Sequence, residues 1–570
     1  MNDMRRTLLW VVFASSLLFL WDAWSTQHGQ PSLFNFLAKR PAPTVAASSP
    51  GASAAAGGLP ALGTAAAGPA LAASSAVASE TVVITTDVYK ATLDSRGGEL
   101  VRLELLKQAD QLDHQNHVVL FDRSAQRFYV AQTGLRPATG NAALPDHQTV
   151  MAVKPGERML KDGAKQLELV FESPEIGGVK LVKTYGFERG SYTVRVRHEV
   201  LNTGSAPVSP QLYLQLIRDG HAMPNESSFY STFTGPAVYT EASKFHKIEF
   251  KDIEKGNVEI DKAADNGWVA MVQHYFASAW LLPEKLQREF YVSKVEGNRY
   301  AAGVAVPLGT IAPGASKTQD ATLFAGPEEE NKLAALAPGL ELVKDYGWLR
   351  ILAKPLFWLL TQLHALIGNW GWAIVALVFV LKLAFYWLNA SAYRSMAKMK
   401  AVNPRIMEMR ERLKDKPQQM QQEMMRIYRE EKINPLGGCL PIFIQMPFFI
   451  ALYWVLLSSV EMRGASWFWI HDLAQADSLF GHIPGFNMPL GPLPILMLIS
   501  TLVQTWLNPA PADPVQQKMM WIMPVVFSVM FFAFPAGLVL YWLTNNLLSI
   551  AQQWMINKKL GVTNKHVPAP

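Results

Sequence analysis

The sequence predicts an α-helical polytopic membrane bundle with a large periplasmic antiparallel β-sandwich and a cytoplasmic helical hairpin. Three observations support this fold class. Long apolar runs follow residue 370, short alternating runs fill residues 80–343, and a charged helical segment at 392–434 separates two of the apolar runs. Half of the chain is hydrophobic and only 17% is charged. This balance is typical of a membrane protein that carries a soluble part.

Length and motif content narrow the class of function. A chain of 570 residues is too long for one core, so several units are expected. The single cysteine, Cys439, excludes an intrachain disulfide and Cys-rich metal sites. The nucleotide-binding Gly-rich loop, His-Glu-x-x-His and Gly-x-Ser-x-Gly do not occur in the sequence. We therefore expect no enzyme, no catalytic residue, no cofactor and no metal, and we expect no sequence-specific nucleic acid among the partners.

The N-terminal region predicts a membrane anchor followed by a tether. In residues 1–24, two arginines precede an apolar core of 15 residues, as in a secretory signal. Trp21 and Trp24 stand where a cleavage site needs small residues, so an uncleaved signal anchor is favoured over a cleaved signal. Residues 25–79 are rich in Ala, Pro, Ser and Gly, and no charge occurs after residue 40. This composition predicts a flexible linker.

Residues 80–343 predict the β-sandwich. Runs such as Thr81–Thr86, Leu167–Phe171 and Tyr192–His198 alternate polar and apolar residues, which is the pattern of half-buried strands. No helical pattern recurs between them, so the sheets are expected to be antiparallel. Residues 327–343 read as a helix that leaves the sandwich.

A Trp-rich segment at 344–362 follows and predicts a helix lying in the membrane interface. Arg350 and Lys354 would place their charges at the level of the lipid headgroups. The alternative is an ordinary surface helix of the sandwich.

The apolar runs predict six membrane spans, five of them in the core bundle. The last run has about 33 residues, which exceeds one span, and a Pro-Ala-Gly turn signal divides it. The spans after the anchor are predicted at 370–391, 438–460, 490–508, 519–534 and 537–556, with a periplasmic loop at 461–489, a cytoplasmic loop at 509–518 and a basic cytoplasmic tail at 557–570.

Charge predicts the orientation of the bundle. Segment 391–434 holds 11 Lys or Arg and 6 Asp or Glu, whereas 461–489 holds only Arg463 as a cation. The positive-inside rule then places this segment and both termini in the cytoplasm and the sandwich in the periplasm of a bacterial inner membrane.

Lys382 is the main candidate for a functional residue. It is the eleventh residue of a 19-residue apolar run, where an isolated cation costs roughly 2.5–3.5 kcal/mol on insertion scales. On one continuous helix, Lys382, Tyr386, Asn389 and Tyr393 would share a face. That depth is too great for snorkelling alone, so hydration is favoured over a lysine bonded to backbone carbonyls.

Segment 392–434 predicts an antiparallel helical hairpin. Apolar residues recur at heptad spacing from Met399 to Leu413, and Asp415 begins a capping-box pattern for a second helix. Two roles for the methionines stay open: they hold the hairpin together, or they bind varied hydrophobic segments. The candidate contact residues are Met399, Ile406, Met409, Arg410, Arg412 and Met424.

Motifs in the second half resemble the YidC/Oxa/Alb family of insertases, in its long Gram-negative form. They are Asn434-Pro-Leu-Gly-Gly-Cys439, Gln445-Met-Pro447, Asp513-Pro-x-Gln-Gln-Lys518 and Phe534-Pro-x-Gly-Leu-Val-Leu-Tyr541, preceded by Tyr346-Gly-Trp348 and Gly368-Asn-Trp-Gly371. The resemblance implies a hydrophilic groove, open to cytoplasm and lipid, that passes the polar flank of an incoming hydrophobic segment without nucleotide. It implies as partners nascent membrane proteins, membrane lipids, ribosome and signal recognition machinery, and the Sec translocon with its accessory subunits.

The resemblance also assigns groove residues. Lys382 matches the single groove cation, for which the family usually has Arg, and Trp542 takes the place of a groove tyrosine. Gln445, Phe449 and Gln504 match directly. The charge is retained at 382, whereas the planar fork of donors is lost.

Two other functions remain as alternatives. A transporter using the mid-membrane lysine is disfavoured because the predicted spans lack internal Asp and Glu, which ion coupling normally requires. A carbohydrate-binding or enzymatic sandwich with an idle membrane part is the third possibility.

Overall fold

The structure is a computed structural model that describes residues 79–110, 113, 115–221, 232–413, 416–431, 440–483, 488–508 and 514–559. The predicted anchor 1–24, nearly all of the predicted linker and most of the basic tail lie outside the described residues. The chain divides into two compact units. The first contains the described residues up to Gly326 together with Ala337–Leu340, and the second contains Pro327–Leu336 and the chain from Glu341 onward.

The first unit is antiparallel β-structure, as predicted. Its strands are β1 Thr81–Thr85, β2 Tyr89–Asp94, β3 Glu99–Ala109, β4 His117–Arg123, β5 Phe128–Pro137, β6 Ala152–Val153, β7 Gln166–Glu172, β8 Val179–Glu188, β9 Thr193–Asn202, β10 Pro210–Asp219, β11 Gly235–Thr240, β12 Lys244–Lys247, β13 Ala263–Ala264, β14 Trp268–Gln273, β15 Phe276–Leu281, β16 Arg288–Lys294, β17 Arg299–Pro307 and β18 Ser316–Pro327. A short helix, α1 Phe250–Lys255, follows β12.

These strands form two nine-stranded sheets. The first has the order β1-β2-β3-β4-β5-β10-β17-β16-β13, and the second β12-β11-β14-β15-β18-β9-β8-β7-β6. The predicted alternation is visible in β7 and β9, where buried residues alternate with exposed or half-buried ones. Strands β14 and β15 are buried throughout, because both of their faces are covered.

Polar side chains cross the apolar interior between the sheets. The Nζ of Lys183, on β8, donates to the carbonyls of Gly97 and Thr133 at 2.6 Å each. His198 Nε2 lies 3.0 Å from Thr133 Oγ1. Burial lowers the pKa of Lys183 to about 7 and that of His198 to about 3, since the charged forms lose their hydration. The two carbonyls accept hydrogen bonds from two of the N–H groups of Lys183.

The second unit is helical. Its helices are α2 Glu330–Leu336, α3 Arg350–Ile367, α4 Trp370–Ala384, α5 Tyr386–Arg412, α6 Pro417–Glu430, α7 Leu440–Ser458, α8 Pro492–Leu507, α9 Pro514–Met530 and α10 Ala536–Lys559. Single 3₁₀ turns lie at Leu340–Val343, Gly347–Leu349, Val460–Met462 and Phe531–Ala533, and two short strands pair at β19 His482–Ile483 and β20 Met488–Pro489.

Several predicted boundaries need correction. The single helix expected over 327–343 is α2 followed by a separate 3₁₀ turn, because Pro338 and Gly339 interrupt it. The predicted interfacial helix at 344–362 begins only at Arg350 and extends to Ile367. The last apolar run contains two separate helices, α9 and α10, with the break at Phe534-Pro535.

The largest correction concerns residues 370–391, which were predicted to form one straight helix. The structure ends α4 at Ala384 and starts α5 at Tyr386, and the two axes meet at 70°. Among the described residues, no single helix is long and apolar enough to cross a membrane, whereas α4 and α5 satisfy that criterion as a bent pair. The six-span count therefore stays a prediction.

Helix α10 lies at the centre of the second unit. It packs against α4, α5, α7 and α8, and residues along most of its length are buried. Asn546 on α10 donates to Ser500 Oγ and Thr501 Oγ1 of α8 at 3.1 Å each. The interhelical hydrogen-bonding role expected for such a buried amide is thus present at Asn546.

A buried ion pair secures the segment before α3. Lys344 is fully buried, and its Nζ lies 3.1 Å from Glu461 Oε2 and 3.9 Å from the centre of the Phe357 ring. Glu461 lies in the turn after α7. The pair therefore links the entry to α3 with the end of α7.

Candidate functional site

A narrow cleft opens where α4, α5, α7 and α10 meet. Its walls mix aromatic, aliphatic and amide side chains around one lysine. The lining residues are Val378, Leu381, Lys382, Phe385, Asn389, Gln445, Phe448, Tyr541 and Asn545. Three of the seven predicted groove residues, Lys382, Asn389 and Gln445, are therefore brought together.

Lys382 is held in the cleft by a neutral partner. Its Nζ donates to Ser549 Oγ at 2.7 Å, and that hydroxyl donates to the carbonyl of Asn545 at 2.7 Å. Among the described residues, no Asp or Glu forms an ion pair with Lys382. The cleft thus contains a cation whose charge is not cancelled by a carboxylate of the described chain.

The bend in the chain changes the surroundings predicted for Lys382. The residue lies in the last turn of α4, three positions before the break at Phe385. A cation in the last turn of a helix interacts favourably with the unpaired carbonyls and the negative end of the helix dipole. The expectation that Lys382 lies too deep to snorkel assumed one straight helix over 370–391, so it does not apply to this geometry.

The predicted continuous face through Lys382, Tyr386 and Asn389 is also wrong. Because the axis turns by 70° between Lys382 and Tyr386, these residues do not share one helix face. Asn389 is 5% exposed and lines the cleft, whereas the Tyr386 side chain is 50% exposed. Tyr386 contributes its carbonyl, which accepts a 3.3 Å hydrogen bond from Gln552 Nε2.

The opposite wall of the cleft is closed by an amide pair. Gln445 Nε2 on α7 donates to Asn545 Oδ1 on α10 at 3.1 Å. Phe385 and Phe448 meet edge to face at 5.1 Å between ring centres. The cleft is therefore polar along α10 and aromatic where α7 approaches the bend.

The other three predicted groove residues do not line the cleft. Phe449 and Trp542 pack edge to face at 4.5 Å, and Phe531 meets Trp542 at 4.6 Å, so these rings form an aromatic contact between α7, α10 and the turn before α10. Gln504 is half-buried on α8 and is not among the lining residues.

Tyr541, Asn545 and Ser549 were not predicted as site residues. Their spacing, i, i+4 and i+8, places them on one face of α10. That periodicity could have found the polar stripe. It could not have shown that Tyr541, rather than its neighbour Trp542, faces the cleft.

The hairpin is formed by α5 and α6. A buried cluster of Ile406, Met409 and Ile427 joins the two helices, with Met420 and Met424 packed against it. This confirms the predicted seam and favours the structural role for Ile406 and Met409. Among the described residues of the hairpin, the exposed methionines are Met407 and Met425, each 51% exposed, and neither was predicted as a contact residue. Of the other predicted contacts, Met399, Met424 and Arg410 are half-buried, and Arg412 is exposed.

The start of α6 differs from the predicted capping box. Asp415 lies outside the described residues, and the N-cap position is Lys416, with no side-chain hydrogen bond to the helix. Pro417 is the first helical residue, where a missing N–H costs nothing.

Comparison with known proteins places these features in a family. Residues 81–359 match the YidC periplasmic domain, and residues 362–563 match the 60Kd inner membrane protein domain. The chain is 53% identical over 572 residues to "Membrane protein insertase YidC" of Janthinobacterium sp. (strain Marseille), covering 99% of this chain and 100% of that one. It is 55% identical over 569 residues to the protein of the same name in Cupriavidus necator, covering 98% of each chain. The chain belongs to the YidC family of membrane protein insertases.

Membership in the YidC family makes the chain an inner-membrane protein with a periplasmic domain. Among solved structures, it is similar to "Active YidC insertase crystal structure with the first transmembrane domain resolved", at 19% identity and a TM-score of 0.38 over 83% of this chain and 92% of that one. A galactose mutarotase related enzyme from Lactobacillus acidophilus gives 8% identity and a TM-score of 0.27 over 43% of this chain and 97% of that one. Neither TM-score reaches 0.5, so the family assignment rests on the sequence matches.

No group of three or more His, Cys, Asp or Glu within the described ranges is placed to hold a metal ion.

Proposed function

We propose that this protein inserts and folds inner-membrane proteins through the cleft around Lys382. The incoming chain places its hydrophobic segment against the apolar helices, and its polar flank enters the cleft. The observation that carries the proposal is the bond between Lys382 and Ser549, which fixes a cation inside the bundle beside a neutral hydroxyl.

The physical role of the cleft is to lower the barrier that a polar flank meets in lipid. Amides of Asn389, Gln445 and Asn545 offer hydrogen bonds that hydrocarbon lacks. Lys382 attracts acidic residues of the flank, and the inside-negative membrane potential acts on the same charges in the outward direction. Neither step needs nucleotide or covalent chemistry, so we propose a chaperone and not an enzyme.

The proposed topology has six spans with both termini in the cytoplasm and the β-sandwich in the periplasm. The Lys- and Arg-rich hairpin then lies on the cytoplasmic side. The α4 and α5 pair supplies the second span through its bent path. The loop between α7 and α8 faces the periplasm.

The proposed partners follow from this topology. Nascent membrane proteins, membrane lipids, the ribosome and the signal recognition machinery would meet the cleft and hairpin. The Sec translocon and its accessory subunits would meet the periplasmic domain. A transporter is not favoured, because the related proteins are named as insertases.

The test is complementation of a strain depleted of its own insertase, combined with protease protection of a newly made substrate that has an acidic flank. Lys382→Arg should support insertion, because it keeps the charge. Lys382→Gln should reduce insertion of this substrate several-fold, and Lys382→Glu should reduce it further. A substrate with a neutral flank should be affected less.

Lys90→Glu is the matched control, since it makes the same charge change at an exposed position of β2. Full insertion by Lys382→Glu at normal protein levels would contradict the electrostatic role. Equal loss of folded protein in the Gln and Glu variants would indicate a purely structural lysine.

A further inference from the structure

A tight turn in the loop between α7 and α8 has an aromatic residue at its tip. Trp467 and Ile470 exchange two backbone hydrogen bonds, of 2.8 and 2.9 Å, which leaves Phe468 and Trp469 as the central residues. Phe468 has φ of 48°. This left-handed region favours glycine at the first central position of a two-residue hairpin turn, and a bulky residue there is an outlier. The chain thus keeps an aromatic side chain at a position where its backbone is strained.

Hydrogen bonds and side-chain packing hold the turn in place on both sides. Asn369 Nδ2 donates to the carbonyl of Ser466 at 3.0 Å, just before α4. Trp467 covers Gly371 so closely that a Cβ there would lie 2.3 Å from the indole ring. On the other side, Trp469 Nε1 donates to Asp477 Oδ2 at 3.2 Å. Because these contacts hold the turn in place, the position of Phe468 is fixed relative to α4.

The Phe468 side chain extends an exposed apolar surface. It is 70% exposed, and its ring lies edge to face with Trp372 at 5.7 Å. Trp372 is 46% exposed and begins a stripe on α4 that continues through Phe379 at 53% and Leu383 at 59%. Spacings of seven and four residues place these three side chains on one helix face. Phe468 therefore lies at the outer end of the face that α4 turns toward lipid in the proposed topology.

We propose that Phe468 inserts into the headgroup boundary of the outer phospholipid leaflet and fixes the depth of α4. Aromatic rings concentrate at this boundary, and the surface is continuous with the lipid-facing stripe. Ten residues separate Trp372 from Lys382, which is about 15 Å along a helix. A hydrocarbon core is about 30 Å thick, so an anchor beside Trp372 places Lys382 near its midplane. The turn thereby sets the depth of the cleft cation, and this consequence rests on the proposed function.

The experiment measures depth and not insertion activity. In full-length protein with Cys439→Ser, Phe468→Cys is labelled with an environment-sensitive fluorophore and reconstituted into phosphatidylcholine–phosphatidylglycerol vesicles. Quenching by lipid carrying a nitroxide at acyl carbon 5 is compared with quenching by aqueous iodide. His471→Cys, an exposed position in the same loop, is the matched control. We expect nitroxide quenching at 468 to exceed that at 471 at least threefold, with iodide quenching in the reverse order.

Two outcomes would overturn the anchor. Efficient iodide quenching at 468 without nitroxide quenching would show that the tip lies in water. Protection from both quenchers would indicate a protein occupant, such as a second copy or a partner subunit. Loss of insertion activity in Lys382 variants leaves this measurement unchanged, so the anchor and the proposed function fail separately.

Discussion

Lys382 Nζ and Ser549 Oγ are joined by a 2.7 Å hydrogen bond that links the last turn of α4 to α10. The partner is neutral, so the bond positions the ammonium group without cancelling its charge. An acidic residue at 549 would form an ion pair in the same place. The net charge of the cleft therefore depends on the residue at position 549 of α10 as well as on Lys382 of α4.

This relationship predicts the effect of Ser549→Asp. The new carboxylate should pair with Lys382 and remove the net positive charge from the cleft while the bundle stays folded. Insertion of acidic-flank substrates should fall about as far as in Lys382→Gln, measured by protease protection. Ser549→Thr keeps the hydroxyl and is the control. Undiminished insertion by Ser549→Asp would show that a net charge in the cleft is not required.

The amide pair in the cleft predicts a measurable coupling. Gln445→Leu or Asn545→Leu alone leaves the other amide without its partner, so each variant should lose about 1 kcal/mol of stability. The double variant should lose less than the sum, because no amide is then left unpaired. Thermal unfolding of the four proteins in one detergent measures this. Strict additivity would mean that the hydrogen bond makes no contribution in solution.

Burial divides the hairpin residues into two groups: residues buried in the seam hold α5 and α6 together, and exposed residues are available to contact a substrate. Ile406→Asn should open the α5–α6 seam and make the hairpin sensitive to limited proteolysis, since Ile406 is 3% exposed. Met407→Asn, one residue further and 51% exposed, should leave proteolysis unchanged. A photo-cross-linker at 407 or 425 should capture nascent chains more efficiently than one at 409. Equal capture from 409 would require the seam to open during substrate binding.

The buried His198 predicts a pH-dependent stability of the sandwich. Burial lowers its pKa to about 3 from the ordinary 6.5 of an exposed histidine. Between these values the unfolded chain binds a proton that the folded chain does not, so the stabilising contribution is lost as pH falls from 6.5 toward 3.

His198→Gln should therefore show a weaker fall in stability over this pH range than the unaltered protein, by up to roughly 5 kcal/mol across the whole interval. Pulse proteolysis of the full chain in urea at several pH values measures it. His117→Gln changes an exposed histidine and should follow the unaltered protein. If stability fell with pH by the same amount in all three proteins, the result would contradict the argument from the burial of His198.

The ion pair between Lys344 and Glu461 predicts that losing the acid alone destabilises the fold more than losing both charges. Glu461→Gln leaves a fully buried ammonium group without a counter-ion and should cost roughly 2–4 kcal/mol, measured by thermal unfolding in detergent. The double variant with Lys344→Met removes that unpaired charge and should recover most of the loss. A double variant less stable than Glu461→Gln alone would show that Lys344 stabilises the fold through other contacts, such as its approach to the Phe357 ring.

Much of the architecture follows from local patterns. Alternation over Leu167–Phe171 and Tyr192–His198 identified β7 and β9 because a half-buried strand repeats every two residues. The turn signal after Phe534 predicted the separation of α9 from α10, because Pro-Ala-Gly favours a turn and a run of about 33 apolar residues exceeds one span. Heptad spacing identified the seam through Ile406 and Met409, because apolar residues at that spacing lie on one face of a helix.

The break between α4 and α5 could not be predicted from local sequence patterns. The run from Trp372 to Ala390 is apolar apart from Lys382 and Asn389 and contains no Pro or Gly, so its local sequence favours one straight helix. Contacts of Phe385 with Phe448 and of Tyr386 with Gln552 accompany the bend. Those partners are distant in sequence and become neighbours only in the fold.

The sequence by itself determined that a cation lies in an apolar segment, that a turn signal divides the last apolar run, and that the chain belongs with the insertases. Each is a matter of residue identity and spacing. Only the tertiary structure decided that Lys382 meets Ser549, and that Tyr541 and Asn545, not Trp542 and Gln504, face it. The reason is that rotation about a helix axis and a bend at one residue are set by packing between helices, which a periodic pattern within one helix does not specify.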